Sequence, residues 1–431
     1  MITKLSKFKN NTFIKNVLVL VSGTAAAQIV AMALSPIITR LYGPEAFGIM
    51  GTFNAIVSII GPVAALTYPI AIVLPKKDRD AKGIIKLSLL IAGFIAMLTT
   101  LILLLFSKQI LNLFNIEELS FFIYLIPLVI VFASLKQVAE QWLIRTKQFK
   151  INAKVTFYQS VIINGGKVGA GFIYPYGATL VIFTAIADGL KAFMLFFFSR
   201  KNKYKKEIKD EQETSDKKKL RELARSYYDF PLYRAPEVFL NAVSQGIPVL
   251  MLTALFGPAS AGFYSIGRTV LAMPSSLIGK SVGDVFYPRV AEAAQNGENI
   301  TSLIRRATLA LGGLGLLPFG LVILFGPFLF SFVFGEDWAM AGEYARWIAL
   351  WSFVGFMNRP SVMSLPVLKA QRFHLIYTII MLTTRLGILV ASYYIFSDDL
   401  IAVALFGISG AILNFGLIAI TLRISKRKMV R

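Results

Sequence analysis

The chain has 431 residues, of which 56% are hydrophobic and only 16% are charged. Soluble globular proteins carry about 25% charged residues, so this composition, with a mean hydropathy of +0.66, indicates a membrane protein and excludes an ordinary soluble domain. The chain contains no cysteine and one histidine, His374, which excludes a disulfide framework, a thiolate nucleophile and a histidine-ligated metal. We therefore predict no metal and no cofactor.

Twelve apolar runs are each long enough to cross a hydrocarbon core about 30 Å thick, which takes roughly 20 helical residues. In the first half they are 16–39, 45–71, 83–106, 119–143, 152–173 and 178–199. In the second half they are 236–256, 260–286, 303–326, 341–366, 374–396 and 400–422. The first run follows a basic segment, as in a signal peptide, but it is too long for one. We predict an uncleaved first span and an all-α membrane protein of about twelve transmembrane helices.

Lysine and arginine are strongly concentrated on one side of these predicted spans. Alternate loops and both termini hold 35 of the 45 basic residues, whereas the opposite loops hold only Arg40 and Lys108. Because cytoplasmic loops carry the excess of lysine and arginine, both termini are predicted to be cytoplasmic. The net charge of +22 is then mainly an orientation signal, and we predict no nucleic-acid partner.

The longest basic segment, 201–227, separates two halves and is predicted to be a solvated cytoplasmic linker. It is also a candidate for contact with anionic membrane lipids. The predicted organisation is an N-terminal six-helix bundle over 1–200, this linker, and a C-terminal six-helix bundle over 228–431.

The two halves carry matching motifs in the same order. Thr39–Pro44, followed by Gly48, matches Thr253–Pro258, followed by Gly262, at a constant offset of 214 residues. Two further matches are Leu74-Pro75 with Tyr287-Pro288, each expected to end a helix, and 145–149 with 369–373. The Gly-Pro pairs predict tight turns, because proline fixes φ and prevents continuation of the preceding helix. Six helices per copy make these parallel repeats, which typically place a substrate site near the midplane, between the halves.

Charged residues inside the spans are expensive in a bilayer and need a partner, a wet cavity or a function. Three oppositely charged pairs have helical spacing and are predicted to neutralise locally: Lys136 with Glu140, Asp188 with Lys191, and Lys280 with Asp284. An alternative is that Asp188, Glu140 or Glu237 carries a coupling proton or sodium ion.

The remaining intramembrane charges are mostly positive. Because guanidinium groups match phosphate oxygens, this bias favours an anionic, phosphate-bearing substrate. We predict that Arg385 and Arg359 bind it with help from Arg268 and Lys191. The other basic candidates are Arg346 and Lys167.

Several segments resemble the polysaccharide-unit (O-antigen type) flippase family. They are Ser22-Gly23-Thr24, Ser35-Pro36-Ile37, Thr39–Glu45, Ala71–Lys76 and the second-half block Tyr228–Ala293. The similarity extends over nearly the whole chain. Many relatives have an acidic residue where this chain has Pro69, after Tyr68, so no role of that carboxylate is carried over.

The resemblance implies the fold of the multidrug/oligosaccharidyl-lipid/polysaccharide exporter (MOP) superfamily, with two six-helix bundles around a central cavity. It implies a flippase that moves an undecaprenyl-diphosphate-linked oligosaccharide from the inner to the outer leaflet of the bacterial cytoplasmic membrane. Polysaccharide polymerase machinery is an implied partner.

Two other functions are weighed against this one. A multidrug or organic-cation antiporter of the same superfamily would favour a negatively biased cavity. A polymerase or glycosyltransferase would need a catalytic loop, and every predicted outside loop is short. The sequence has no GxxxxGK[ST] motif either, so ATP hydrolysis is not expected.

Overall fold

The computed structural model describes the backbone of residues 12–114, 117–201 and 220–429. Side chains are described within these ranges except at 12–21, 113–114, 118, 200–201, 274–285 and 428–429. The described part of the chain is helical with no β-strand, which confirms the predicted all-α class. A helix bonds its own N–H and C=O groups, as a chain in hydrocarbon must.

Thirteen α-helices lie in the described ranges. In chain order, α1 to α7 are Thr12–Ile60, Asp78–Phe114, Ile126–Arg145, Phe149–Gly171, Gly177–Lys201, Leu220–Ser226 and Ala235–Phe256. The later helices, α8 to α13, are Pro258–Gln295, Ile300–Phe334, Ala339–Met357, Arg359–Ser364, Gln371–Phe396 and Asp399–Met429.

Eight helical segments of the described chain are long and apolar enough to cross a membrane. They are Ser22–Val63, Asp78–Asn112, Phe122–Arg145, Gly177–Ser199, Phe230–Phe256, Ile300–Phe334, Gln371–Phe396 and Asp399–Arg427. The protein is therefore a multi-pass membrane protein, while the full count of twelve spans stays a prediction.

The helices group into two compact units. The first contains the chain up to Tyr42 and Ile49–Leu250, and the second contains Gly43–Gly48 and everything from Met251 onwards. The main part of the second unit thus begins inside α7, and the predicted bundles over 1–200 and 228–431 stay a prediction. Residues 202–219 of the predicted linker lie outside the described residues.

The last part of that linker is not wholly solvated. It forms the short helix α6, whose Leu223 is buried. Leu223 contacts α2 at Gly83, where an added Cβ would come within 2.4 Å of its side chain. The hydroxyl of Tyr68 also donates to the carbonyl oxygen of Ala224 in α6.

The second predicted span of the first half and that of the second half have different structures. In the first half the helix ends at Ile60, and 3₁₀ turns over Gly61–Val63 and Tyr68–Val73 replace it. Between these turns Leu66 and Thr67 adopt left-handed backbone conformations, with φ of 48° and 57°. Non-glycine residues occupy this region at an energetic cost, which other contacts must offset.

The corresponding helix of the second half, α8, is continuous from Pro258 to Gln295. The prediction that Tyr287-Pro288 ends this helix is therefore wrong. A proline inside a helix removes one backbone hydrogen bond, but it does not force the chain to leave the helical path when neighbouring elements hold it.

The two Gly-Pro turns are present as predicted, the first interrupting α1 at Gly43, and they pack against each other within the second unit. Gly43 and Gly257 both have positive φ, of 65° and 92°. A Cβ on Gly48 would lie 1.7 Å from the Pro258 carbonyl oxygen, and a Cβ on Gly262 would lie 2.1 Å from the Pro44 carbonyl oxygen. Each motif therefore contributes a glycine that admits the proline backbone of the other.

This close contact predicts that even a methyl side chain at either glycine destabilises the folded protein. Gly48→Ala and Gly262→Ala should each destabilise the protein by about 1–3 kcal/mol, the usual cost of overpacking, because backbone atoms must separate. The measurement is the thermal unfolding midpoint of the purified protein in detergent. Gly313→Ala is the matched control, since its Cβ would meet nothing within 4 Å; equal midpoints for all three variants would contradict the close packing.

Candidate functional site

The first unit contains a cavity of about 450 Å³. Helix α3 contributes most of the polar side chains of its wall, and the unwound segment after Ile60 contributes much of the rest. The lining residues are Val57, Ser58, Gly61, Pro62, Thr67, Pro69, Ile70, Ala133, Lys136, Gln137, Glu140, Gln141, Asp188 and Val238. Its volume is within the roughly 300–1,000 Å³ range of small-molecule sites.

Side chains hold the unwound segment in place. Gln137 Nε2 donates to the Gly61 carbonyl oxygen at 2.8 Å, and the Thr67 hydroxyl donates to the Phe230 carbonyl oxygen at 3.0 Å. Irregular backbone at membrane depth is tolerated where it is buried in protein or lines a cavity. Discontinuous helices of this kind form substrate and ion sites in many transporters.

Arg145, at the end of α3, fixes the far end of the same segment. Its guanidinium donates to the carbonyl oxygens of Ile72 at 3.2 Å and Pro75 at 2.7 Å. It also forms an ion pair with Asp78, at 2.8 Å. The segment between Gly61 and Asp78 is thus anchored at both ends by side chains of one helix.

Two ion pairs join α3 to α5 beside the cavity. Lys136 Nζ lies 2.7 Å from Asp188 Oδ2, and Lys191 Nζ lies 2.6 Å from Glu140 Oε1. The predicted pairing within each helix, Lys136 with Glu140 and Asp188 with Lys191, is therefore wrong. The four charges do neutralise one another, but between helices, because the charged faces of α3 and α5 are turned towards each other.

These two ion pairs are partly buried, and each side chain keeps some exposed surface. The side chains are 26% and 24% exposed for Lys136 and Asp188, and 15% and 25% exposed for Lys191 and Glu140. The second oxygen of each carboxylate accepts no hydrogen bond from the described residues. Gln141 lines the cavity and forms no hydrogen bond within the described part of the chain. The cavity wall therefore retains unused donors and acceptors.

Two other predicted site residues have carboxylate or guanidinium partners. Arg346 lies 2.9 Å from Glu343, one turn away on α10, and donates to the Leu324 carbonyl oxygen at 3.1 Å. Glu237 pairs with Arg234 at 2.8 Å, and both side chains are at least half exposed. No partner was predicted for Arg346 or Glu237, although each has an oppositely charged residue three positions earlier in the chain.

Arg385 is buried in the second unit against two aromatic rings that meet edge to face. Its guanidinium carbon lies 3.9 Å from the centroid of Trp351 and 3.8 Å from that of Phe406. The residue is 8% exposed, and its Nε and Nη2 atoms have no hydrogen-bond acceptor among the described residues. Gly410 makes room for these contacts, since a Cβ there would lie 2.7 Å from Trp351 and 3.0 Å from Arg385 Nε.

The other basic candidates are spread over both units. Arg359 begins α11 and is half-buried, with no carboxylate partner among the described residues. Arg268 lies close enough to Arg385 for their charges to repel. In the first unit the Lys167 ammonium lies 3.5 Å from Met50 Sδ. The structure thus brings Lys191 into contact with Glu140 of the cavity wall and places Arg268 within electrostatic range of Arg385. The side chains of Lys280 and Asp284, the third predicted pair, lie outside those described.

Sequence reasoning missed the neutral polar residues of the cavity, above all Gln137 and Gln141. One signal was available: Gly61-Pro62 interrupts an apolar run that was treated as a continuous span. Proline removes a backbone donor and glycine weakens a helix, so this pair marks the place where the helix opens.

The profile of a family described as "Polysaccharide biosynthesis protein" matches residues 37–343 of the chain. The chain belongs to this family. No curated protein sequence matches it significantly.

Solved structures share the fold. Lipid II flippase MurJ, in an inward closed conformation, superimposes with a TM-score of 0.69 at 15% identity, covering 96% of this chain and 91% of MurJ. An inward-facing multidrug resistance MATE family transporter of the MOP superfamily gives 0.63 at 12% identity, covering 94% and 99%. A MOP superfamily transporter from Pyrococcus furiosus, described by a reverse polarity of its binding pocket, gives 0.57 at 12% identity, with 96% of both chains covered. The family match and these folds confirm the resemblance drawn from the sequence.

Coupling energies between the charged residues distinguish ion pairs between α3 and α5 from ion pairs within each helix. In a double-mutant cycle, Lys136→Met and Asp188→Asn should show a coupling of about 1–3 kcal/mol, between the values for exposed and buried pairs. The cycle of Lys136→Met with Glu140→Gln should give below about 0.5 kcal/mol, as for residues one helical turn apart. Denaturant unfolding of the purified protein measures both. A larger coupling within α3 than between α3 and α5 would contradict the observed pairing.

Proposed function

We propose that the protein is a flippase that moves an undecaprenyl-diphosphate-linked oligosaccharide from the inner to the outer leaflet of the bacterial cytoplasmic membrane by alternating access. The moved unit serves cell-surface polysaccharide synthesis, with O-antigen assembly as the expected type and the polymerase machinery as a partner. Both termini are proposed to be cytoplasmic. The observation that carries the proposal is membership of a polysaccharide biosynthesis family in a chain with the fold of MurJ, a lipid II flippase.

The intramembrane charges support an anionic headgroup. Lys167, Arg359 and Arg385 have no carboxylate partner among the described residues, whereas Glu140, Asp188 and Glu237 each have a basic one. Unpaired positive charge inside a membrane protein is costly, and a diphosphate would neutralise it with charge-assisted hydrogen bonds. Arg385 takes part in this proposal only if its contacts with Trp351 and Phe406 open.

A multidrug or organic-cation antiporter is the second candidate, favoured by the similarity in fold to a multidrug resistance MATE family transporter. A cationic substrate needs available carboxylates, and the carboxylates of the cavity in the first unit are occupied by lysines. The sign of the unpaired charges therefore favours the lipid-linked anion.

The proposed activity is transport without catalysis, and its energy source is a separate question. Glu140 and Asp188 remain candidates for carrying a proton or sodium ion, since both line the cavity. Glu237 is a weaker candidate, because it is exposed and paired with Arg234.

Deletion of the gene tests the proposed function directly. We expect undecaprenyl-diphosphate-linked oligosaccharide to accumulate in the deletion strain, because a substrate that cannot cross stays on the cytoplasmic side. Mass spectrometry of extracted lipids identifies it and reads the glycan. A deletion strain with an unchanged lipid-linked pool and normal surface polysaccharide would refute the proposal.

Substitution of the unpaired arginines tests the headgroup role. Arg359→Ala and Arg385→Ala should each lower the rate at which proteoliposomes flip undecaprenyl-diphosphate-linked sugar by at least about tenfold, since a hydrogen bond to a charged group contributes about 1.5–3 kcal/mol. Arg289→Ala is the matched control, because Arg289 is exposed and pairs with Glu298 outside the predicted spans. Unaltered flipping by folded Arg359→Ala and Arg385→Ala protein would exclude these residues from headgroup binding.

A further inference from the structure

The cavity of the first unit has a charge arrangement unlike that expected of a headgroup site. The two lysines beside it are matched by two carboxylates at 2.6–2.7 Å, so the four charges sum to zero. A diphosphate entering the cavity would approach Glu140 and Asp188 and would be repelled. An organic cation would have to displace Lys136 or Lys191 from a contact already made. Neither kind of ion is favoured here.

The unused polar atoms of the wall suit a neutral ligand rich in hydroxyl groups. Gln141 offers a complete amide, with two N–H donors and one acceptor oxygen. Glu140 and Asp188 each offer a second carboxylate oxygen, and Ser58, which donates to the Ala55 carbonyl oxygen, still offers lone pairs. A sugar both donates and accepts hydrogen bonds, so it can satisfy all of these groups at once.

The remaining wall is apolar and rigid. Pro62 and Pro69 lie in the unwound segment, with Val57 and Ile70 beside them. Such surfaces pack against the C–H faces of a sugar ring, while the amide and carboxylates meet its hydroxyls. A lipid acyl chain would cover the apolar part but would leave the polar atoms unsatisfied, at a cost for each buried group.

We propose that this cavity is a glycan subsite that binds neutral, hydroxyl-bearing sugar of the translocated lipid. This inference rests on the proposed flippase function and separates the binding of the sugar from the binding of the diphosphate. The sugar occupies the charge-balanced cavity of the first unit, and the diphosphate stays outside this cavity, away from Glu140 and Asp188. Gln141 contributes directly, through its free amide. Gln137 is a positioning residue, because its amide is used to hold the Gly61 carbonyl.

The experiment compares two lipids that differ only in the sugar. The affinity of the full-length protein in nanodiscs is measured for undecaprenyl diphosphate and for undecaprenyl-diphosphate-N-acetylglucosamine. We expect the sugar-bearing lipid to bind at least about fivefold more tightly to the unmodified protein, since each net hydrogen bond is equivalent to a factor of about 2–10. Gln141→Leu should remove most of this difference by weakening the sugar-bearing lipid alone.

Gln159→Leu is the matched control, because Gln159 lies on α4, outside the cavity lining, and bonds the Ala187 carbonyl oxygen. It should retain the difference between the two lipids. Equal binding of the two lipids to the unmodified protein would overturn the glycan subsite while leaving the flippase proposal intact. An effect of Gln141→Leu on both lipids alike, or on neither, would also overturn it. Failure of both lipids to bind would instead count against the proposed function itself.

Discussion

Every main-chain N–H and C=O group at membrane depth must find a partner inside the protein. Helices meet this requirement with their own hydrogen bonds. The segment from Gly61 to Leu74, which follows the end of α1, does not form a regular α-helix and needs other partners. The described first unit is built to compensate for that break. Gln137 and Arg145, two turns apart on α3, bond carbonyl groups near the two ends of the segment. The cavity exists because the helix opens, and α3 is what allows it to remain open.

The same helix connects the break to the charges. Lys136 and Glu140 lie on the face of α3 that carries Gln137 and Gln141, and their partners are both on α5. Neutralisation between helices fixes the relative position of α3 and α5, which pairing within a helix would not do. A polar wall is thus obtained without net charge, while the second unit isolates Arg385 against aromatic rings.

The ion pairs of the first unit and the aromatic contacts of Arg385 stabilise a buried cation by different interactions. A carboxylate neutralises a lysine at short range and leaves oxygen atoms free for other donors. An aromatic ring attracts a guanidinium through its quadrupole and leaves the N–H groups unbonded. The first arrangement produces a surface ready for hydroxyl groups, and the second keeps a cation with unmet hydrogen-bonding capacity.

Composition and apolar runs were enough to predict the all-α membrane class, and the Gly-Pro pairs were enough to predict both turns. Side-chain pairing was beyond a single sequence, because spacing along a helix shows which residues share a face but not which helix that face meets. Lys136 and Lys191 illustrate this: each has an acidic neighbour at helical spacing, yet each bonds the other helix. The opening at Gly61-Pro62 was concealed by apolar residues on both sides.

The reciprocal contact of the Gly-Pro motifs has an evolutionary consequence. Gly48 makes room for the backbone of Pro258, and Gly262 makes room for that of Pro44. After a duplication, two copies of a gene segment are normally free to diverge. Here each motif packs against the other, so a larger residue at either glycine would disturb both turns. The similarity of the two turns therefore has a use in the present packing.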